Sequence, residues 1–465
     1  MTSETPVPMW QGFEYLPHQV DGVRWMIEKE RYGTTTTTTT LHQSVPPQES
    51  QQRQIRGGLQ CDEMGLGKTI QVVATMKNNP RETTLIVCPL AMVDTWEKTV
   101  RDASIETTVH ITNYERLLSS PQTYLSVWWD RIVLDEAHRI RTRRGSVSSL
   151  LHKLKATIRW VLTGTPIVNK QRDLFSLLSF LGVEVPSHID PWAAQSLIEV
   201  SKQMMIRRTV AEIRPTTSHL PPPPIIETRR LPFATHEEAT LYRDFQARAA
   251  RTVSVLACMT PLPNPKQNVP FLLLTRLRQI SVHPQVYLRS KDPTLPRQQP
   301  DILAKATKIA ELCRIIEADT DTSKKYLVFC QFKEEMEILR EVLGVMPSVG
   351  PDAIEAYHGS LSQSVRTSVL RRAKSPSCSV LLMQIQCGGV GLNLQEFTRC
   401  VFMSPWWTAA MMDQAVARCV RIGQREQVRV YHLILEEEDT FNIDTFMMDK
   451  IHEKRQLLEK IYSTG

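Results

Sequence analysis

Short apolar runs alternate with longer amphipathic stretches in the first part of the chain. The runs are TLIVCP (84–89), VHIT (109–112), RIVLDEAH (131–138) and RWVLTGTP (159–166). Each ends at polar or small residues, as a parallel strand does when it is buried on both faces and opens onto a site at its carboxyl end. The pattern therefore predicts a parallel sheet with helices between its strands.

A composition break separates this series from a second one. The segment RPTTSHLPPPPIIETRRLPF (214–233) contains four consecutive prolines, which exclude a helix or a central strand. Residues 234–300 have a mainly helical pattern, interrupted by TPLPNPKQNVP. New strand-like runs then follow: KYLVFCQF (325–332), AIEAYHG (353–359), SVLLMQ (379–384), RCVFMS (399–404) and VRVYHLI (428–434).

The two series predict an α/β chain of two stacked parallel-sheet lobes with a cleft between them and a helical insertion region. We expect a first lobe at 1–213, a proline-rich crossing and helical linker at 214–300, and a second lobe at 301–465. Within the first lobe, the low-complexity segment 33–54 (GTTTTTTTLHQSVPPQESQQRQ) has no periodicity and little to bury. We expect a disordered surface loop there.

Composition places the chain among globular proteins. Of its 465 residues, 42% are hydrophobic and 23% charged, and no apolar run is long enough to span a membrane. The N-terminus lacks the basic and apolar regions of a secretory signal. The nine cysteines form no C-x-x-C pair, which argues against zinc and redox motifs. A net charge of +7 permits nucleic-acid binding without requiring it.

The stretch CDEMGLGKTIQ (61–71) ends as a phosphate-binding loop ends, although Asp62 stands where the usual pattern has its first glycine. Gly65 and Gly67 would let the backbone approach phosphate oxygens. Lys68 would bring a positive charge to the β- and γ-phosphates, and the Thr69 hydroxyl would help to hold Mg²⁺. The alternative is a simple glycine turn.

An acidic pair follows the strand-like run at 131–134. Asp135 can hold Mg²⁺, directly or through water, and Glu136 can orient and deprotonate an attacking water. An ordinary helix start with acidic residues in its first turn is the alternative. The next run ends in LTGTP (162–166). This segment suits a loop that couples the site to a second ligand, and a plain turn is the alternative.

The second half contains GGVGLNLQ (388–395) and DQAVARCVRIGQ (413–424). Arg418 and Arg421 are three residues apart and would share one face if this segment is helical. They could then reach a γ-phosphate as arginine fingers, or form salt bridges on a solvated basic face.

In order and spacing, these motifs resemble those of the SWI/SNF-type ATPases of helicase superfamily two, whose loop commonly reads D-E-M-G-L-G-K-T. Further segments match in order: LPHQVDGVRWM (16–26), LIVCPLAMVDTWEK (85–98), ITNYERL (111–117), RLRQISVHP (276–284), VFCQF (328–332) and HGSLSQSVR (358–366). The RGG before the loop and the WW at 406–407 suggest the subgroup of helicase-like transcription factor and transcription termination factor two, without its RING insert. Departures from the family pattern are Thr408-Ala409, Cys419 and Thr142.

The resemblance implies two RecA-like lobes that bind ATP and Mg²⁺. It implies that Gln19, beside His18, contacts adenine, and that Gly389 and Gly391 come close to DNA or nucleotide. Thr69 and Asp135 would hold the metal, and Lys68, Asp135, Glu136, Arg418 and Arg421 would act in catalysis. The implied nucleotide-binding set is Gln19, Asp62, Glu63, Met64, Gly65, Leu66, Gly67, Lys68, Thr69, Gly391, Arg418 and Arg421.

The implied activity is ATP-driven translocation on double-stranded DNA, which remodels nucleosomes or displaces polymerase or other bound proteins. The motor would act as a monomer or as a subunit of a larger complex, with no membrane or zinc partner. A nucleus is expected, with a viral or bacterial origin left open. The basic run HRIRTRRGS (138–146) touches DNA or is a solvated helix end. A DEAH-type RNA helicase and an ATP-gated DNA-binding scaffold with little turnover are the competing hypotheses.

Overall fold

Two six-stranded parallel sheets organise the chain. The computed structural model describes residues 5–37, 52–140, 145–168, 170–186, 188–217, 220–258, 269–321, 323–388, 392–437 and 441–462. The chain divides into two compact units, and the main boundary between them lies between Leu220 and Pro221. This boundary falls inside the segment 214–300, which the sequence assigns to the crossing. No described helix is both long enough and apolar enough to cross a membrane.

The described strands that precede the boundary are β1 (Thr34–Thr37), β2 (Gln52–Ile55), β3 (Gly57–Gln60), β4 (Thr83–Cys88), β5 (Thr108–Asn113), β6 (Trp128–Asp135), β7 (Lys155–Leu162) and β8 (Met205–Ile206). The helices are α1 (Pro17–Arg31), α2 (Lys68–Asn78), α3 (Val93–Asp102), α4 (Tyr114–Ser119), α5 (Pro121–Leu125), α6 (Ser146–Lys153), α7 (Gln171–Leu181), α8 (Pro191–Met204) and α9 (Val210–Ile213). The first sheet has the order β5-β4-β6-β7-β3-β8, and all its pairs are parallel.

The described strands that follow the boundary are β9 (Ile225–Leu231), β10 (Tyr326–Cys330), β11 (Ile354–Tyr357), β12 (Val380–Gln384), β13 (Arg399–Phe402) and β14 (Arg429–Leu435). The helices are α10 (His236–Cys258), α11 (Val269–Val282), α12 (Pro284–Lys291), α13 (Pro300–Leu303), α14 (Thr307–Ala318), α15 (Lys333–Gly344), α16 (Gln363–Lys374), α17 (Ile385–Gly388), α18 (Ala409–Val416) and α19 (Ile443–Tyr462). The second sheet has the order β11-β12-β10-β13-β14-β9 and is also parallel throughout.

Alternate residues of the strands pack into different apolar clusters. On β4, Leu85 and Val87 belong to one cluster, whereas Ile86 and Cys88 belong to another. The central strand β10 of the second sheet shows the same alternation. Because successive side chains of a strand point to opposite faces, each sheet is buried on both faces. The continuous apolar runs in the sequence have this cause, and the predicted α/β fold with two parallel sheets is confirmed.

The expectation of a disordered loop over residues 33–54 is wrong at both ends of that segment. Thr34–Thr37 and Gln52–Ile55 pair as antiparallel strands, with Thr34 opposite Ile55. Threonine is β-branched and therefore suits an extended backbone despite the low complexity of the run. Residues 38–51 lie outside the described part of the chain.

The sequence analysis also missed β9, which follows the four prolines directly. Its seven residues pair in parallel with β14 at the end of the strand order. Proline is compatible with the start of an edge strand, because no ladder hydrogen bond is lost there. Five of the seven residues are exposed, so the apolar run that marks a buried strand is missing. The helical pattern expected after residue 233 is confirmed by α10–α13.

Candidate functional site

Three strands of the first sheet bring their carboxyl ends together. Gln60 at the end of β3 and Asp135 at the end of β6 both lie opposite Leu162, the last residue of the strand between them. Parallel strands open at the same edge, and ligands of such sheets bind outside their carboxyl ends. The register therefore places the loop after β3, the acidic pair and the turn after β7 side by side.

The loop after β3 has the backbone conformation that its glycines predict. Gly65 and Gly67 have φ angles of +90° and +82°, which residues with a Cβ rarely adopt. A Cβ on Gly67 would also lie 2.5 Å from Nε2 of Gln19. Gly67 is the N-cap of α2. The loop thus delivers the chain to the amino end of an eleven-residue helix, where unpaired backbone N–H groups favour anions.

Lys68, the first residue of α2, folds over this loop. Its Nζ donates to the carbonyl oxygen of Asp62 at 2.8 Å and to that of Glu63 at 3.4 Å. Thr69 follows in the first turn of the helix and is partly exposed. A positive charge, the helix amino end and a hydroxyl group are therefore assembled within one short segment.

The remaining loop residues face different surroundings. Leu66 is buried, and its carbonyl oxygen lies 2.9 Å from Nε2 of His18 and accepts from Nε2 of Gln19 at 3.4 Å. The exposed Glu63 accepts from the backbone N–H of Val210 through its carboxylate. Met64 lies beside Gly164, where a Cβ would come within 3.1 Å of the Met64 Cγ. The contacts of His18 and Gln19 join the amino end of α1 to the loop through the carbonyl oxygen of Leu66.

Asp62 is fully buried, and its carboxylate accepts five hydrogen bonds. Gln60 and Gln71 donate to Oδ2 at 3.0 Å each, and Arg208 donates through its backbone N–H, Nε and Nη2 at 2.5–3.1 Å. Burial opposes ionisation of Asp62, but the bonds from Arg208 and the two amides outweigh it, so its pKa is lowered. Any ligand contact of Asp62 is consequently made by its backbone.

The acidic pair lies at the end of β6. Trp96 donates from its indole N–H to Oδ2 of Asp135 at 2.9 Å, and the Tyr114 hydroxyl donates to the Asp135 carbonyl oxygen at 2.7 Å. Burial, and next the charge of Glu136, raise the pKa of Asp135 to about 6, while the Trp96 bond and the Lys68 ammonium act in the other direction. Lys68 is thus near enough to Asp135 to interact with its charge.

Glu136 has an unusual backbone conformation for a residue with a side chain. Its φ angle is +48°, one of two positive values among the described non-glycine residues. One of its carboxylate oxygens lies 3.3 Å from Nδ1 of His138. Such strained backbone positions cluster at functional sites. The chain turns at this residue, directly after the end of the buried strand β6.

The turn after β7 completes this edge of the sheet. Thr163 is fully buried, its backbone N–H donates to the carbonyl oxygen of Gln60, and its hydroxyl accepts from the backbone N–H of Thr165. This geometry is a side-chain-stabilised turn. The bond from Thr163 to Gln60 joins the end of β7 to the end of β3, directly before the loop.

The segment with Arg418 and Arg421 is not helical, contrary to the condition set for a shared face. Helix α18 ends at Val416, and the next residues form turns. Gln424 stabilises this conformation by donating to the carbonyl oxygens of Gln395 and Cys419. Arg418 is buried and Arg421 is partly exposed. Both arginines lie in the turns and bends that follow α18.

Several predicted positions fall outside the described residues. Gly389 and Gly391 of the GGVGLNLQ segment belong to this group, as do Thr142 and the middle of the basic run at 138–146. Of the other departures from the family pattern, Cys419 is buried with its Sγ 3.6 Å from that of Cys400. Cys419 thus fills an apolar position in the second unit.

Sequence reasoning missed the residues that hold the site in place. Arg208, Trp96, Tyr114 and Gln71 contact the predicted residues, but no local pattern identifies them as partners. Packing explains the first glycine of the RGG segment. A Cβ on Gly57 would lie only 1.9 Å from the Arg159 carbonyl oxygen. The WW pair likewise encloses Arg278, whose guanidinium lies 5.2 and 5.3 Å from the two indole rings.

Comparison with protein families matches two models to the chain. The SNF2-related domain matches residues 18–104 and 101–286, more than half of the chain, and the helicase conserved C-terminal domain matches residues 307–423. Together they cover the loop, the acidic pair and both arginines.

Similar proteins come from a virus, a bacterium and a yeast. A "Probable global transactivator" of Orgyia pseudotsugata multicapsid polyhedrosis virus is 27% identical, over 96% of this chain and 91% of its own. The "Putative ATP-dependent helicase/translocase YwqA" of Bacillus subtilis is 25% identical, over 85% and 46%. The "TATA-binding protein-associated factor MOT1" of Saccharomyces cerevisiae is 25% identical, over 93% and 27%. The chain thus spans nearly all of the viral protein but less than half of the other two.

Among solved structures, the Sulfolobus solfataricus SWI2/SNF2 ATPase core in complex with dsDNA is 23% identical, over 99% of this chain and 96% of its own, with a TM-score of 0.40. The family assignment depends on the sequence matches.

Proposed function

The chain belongs to the SNF2-related family, with a helicase conserved C-terminal domain after its SNF2-related domain, and from this premise we propose that it is an ATP-driven translocase on double-stranded DNA. Membership of the family identifies the chain as a helicase-like ATPase core. The dependence of its ATP hydrolysis on DNA, and its translocation along DNA, are what we propose. One observation carries it: the strand register that sets Lys68 and the acidic pair at one sheet edge, close enough for Lys68 to act on the Asp135 charge.

Each residue of this edge has a role in the proposed hydrolysis. Lys68 and the amino end of α2 hold the β- and γ-phosphates of ATP, because they supply a positive charge and unpaired N–H groups. Gln19, held against the Leu66 carbonyl oxygen, contacts the adenine. Glu136 accepts a proton from the attacking water and orients it toward the γ-phosphate.

The residues near Lys68 also fit a magnesium ion. Thr69 and Asp135 offer the hydroxyl and carboxylate oxygens that Mg²⁺ prefers. The raised pKa of Asp135 reflects a buried carboxylate beside a second one, an arrangement that a divalent cation relieves. Bound Mg²⁺ neutralises charge on the phosphates.

The turns that follow α18 contribute the two arginines of the proposed site. In this proposal, Arg418 and Arg421 stabilise the charge that develops on the γ-phosphate during hydrolysis. DNA is held through its phosphates, so binding is salt-dependent and has little sequence preference.

The target is protein-bound DNA, such as a nucleosome or a stalled polymerase. The names of the relatives include a global transactivator, a TATA-binding protein-associated factor and a DNA repair protein. The motor thus recurs in proteins named for transcription and for repair. A motor that acts on chromatin, or on other DNA in the nucleus, would itself be located in the nucleus.

ATP hydrolysis by the purified chain, with duplex DNA, with RNA and without nucleic acid, tests the proposal. We expect stimulation by duplex DNA and displacement of a third strand from a DNA triplex. Glu136→Gln should lower kcat about 100-fold or more, since proton transfer by a positioned base contributes at least that factor. Glu115→Gln is the matched control, because Glu115 is 62% exposed and pairs only across the surface with Arg139 among its described partners.

Two results would replace the proposal. Stimulation by RNA but not by duplex DNA would favour an RNA helicase. Wild-type turnover no faster than that of Glu136→Gln would favour an ATP-gated scaffold.

A further inference from the structure

The buried carboxylate of Asp62 stands in the phosphate loop where a glycine is usual, and Arg208 is its main partner. Arg208 lies 146 residues further along the chain, between β8 and α9. Its Nε donates to Oδ1 at 2.9 Å and its Nη2 to Oδ2 at 2.5 Å, a two-pronged pair that fixes direction as well as distance. The loop is therefore held in one orientation by a residue that makes no part of the predicted motifs.

The same guanidinium also holds the amino end of α1. Nη1 of Arg208 donates to the carbonyl oxygen of His18, the residue before Gln19. Gln19 in turn donates to the Leu66 carbonyl oxygen of the loop. One planar group thus contacts the proposed adenine-reading segment and the proposed phosphate loop at the same time.

Close packing restricts the Arg208 guanidinium, which contacts both α1 and the loop. Gly22 in α1 faces it, and a Cβ there would lie 1.8 Å from Oε1 of Gln71 and 2.8 Å from Nη2 of Arg208. The Gln71 amide donates to Asp62 and its oxygen accepts from Gln60. A fully bonded buried network of this kind specifies one geometry rather than adding much stability.

We propose that Arg208 is a positioning residue that sets the distance between Gln19 and the phosphate loop and thereby sets the selectivity for adenine over guanine nucleotides. The proposal rests on the proposed function, since it assumes that adenine is read at Gln19 while the phosphates lie in the loop. A base is read correctly only when its partner lies at the right distance from the phosphate site. A lysine at position 208 would keep the positive charge and lose the planar fork.

Equilibrium binding of ADP and of GDP to the full chain tests this proposal, because it needs no hydrolysis and no DNA. The readout is the ratio of the two dissociation constants. We expect Arg208→Lys to reduce the preference for ADP by about tenfold. The matched control is Arg131→Lys, which alters a second buried two-pronged pair of the same unit, formed with Glu30 at 2.6 Å. The control should lower the melting temperature and keep the ratio within about twofold of wild type.

The outcomes are distinct. An unchanged ratio in a folded Arg208→Lys variant overturns the proposal, as does an equal change in both lysine variants. If Arg208→Lys does not fold, Gly22→Ala shifts the same network and leaves the Arg208 side chain in place, and an unchanged ratio there overturns the proposal too. A wild-type chain that binds ADP and GDP equally also refutes it, while leaving ATP hydrolysis possible. Failure of the wild type to bind either nucleotide refutes the proposed function itself.

Discussion

Replacement of Gly22 by alanine should destabilise the first unit. In most helices the same replacement is stabilising. Gly22 lies inside α1, where alanine is normally better by about 0.5–1 kcal/mol. Here the new Cβ would lie 1.8 Å from Oε1 of Gln71. Ordinary contact between such atoms needs about 3.5 Å, so the Gln71 side chain must move by roughly 1.5 Å or more.

The magnitude follows from the bonds that this movement breaks. Oε1 of Gln71 accepts from Nε2 of Gln60 at 2.7 Å and from Nη2 of Arg208 at 3.1 Å. A buried bond between neutral groups contributes about 1 kcal/mol, and one to a charged group about 1.5–3 kcal/mol. After subtraction of the helix gain, Gly22→Ala should lower the free energy of unfolding by about 2–3 kcal/mol. In a unit of this size, the melting temperature should fall by about 4–12 °C.

Scanning calorimetry of the wild type and the variant measures this shift. Gly344→Ala is the matched control, because Gly344 ends α15 and a Cβ there would meet nothing closer than Cα of Pro351 at 3.6 Å. The control should stay within about 1 kcal/mol of wild type. If Gly22→Ala melts at or above the wild-type temperature, Gln71 and Arg208 have room to rearrange, and the close-packed network described above is refuted.

Three further changes test other parts of the structure. Trp96→Phe replaces the indole by a smaller aromatic ring and removes the N–H that holds Asp135, so kcat should fall about tenfold with KM for ATP within about twofold; an unchanged kcat would contradict this role. Glu30→Gln leaves Arg131 charged and buried, and urea denaturation should show a loss of about 3–5 kcal/mol, whereas a loss under about 1 kcal/mol would contradict the estimate. Burial lowers the pKa of His283 to about 4, so the unfolded chain binds more protons between pH 6.5 and 4 and stability falls as the pH falls through this window. His283→Asn keeps an acceptor for the helix N-cap without a titrating ring, and it should flatten that fall in denaturation curves; equal slopes would refute the assignment.

Much of the fold could be predicted because its signals are local. A strand buried on both faces needs an apolar residue at nearly every position, and runs such as LIVC at 85–88 show this directly. The strands β3, β8 and β9 carry no such run and were missed. β3 is buried but reads GGLQ, β8 has only two residues, and five of the seven residues of β9 are exposed.

The candidate site shows the same division. The loop itself requires positive φ angles at positions 65 and 67, so glycine at these two positions indicates the loop in the sequence. The condition that the arginine segment be helical is not met, because α18 ends at Val416, and Gln424 donates to the carbonyl oxygen of Gln395, which is 29 residues away in the chain. A pattern of spacing contains no information on such contacts.

The amino-acid sequence by itself determined most of the buried strands, the glycine loop with its lysine, and an acidic pair at a strand end, because each of these features depends on neighbours within a few residues. Only the tertiary structure decided which groups those residues face. Asp62 became a buried anchor and not a solvent-facing carboxylate, because folding brought to it a guanidinium that is 146 residues away in the chain. The chain has 56 lysines and arginines, and the choice of one partner among them is made by packing, not by local sequence.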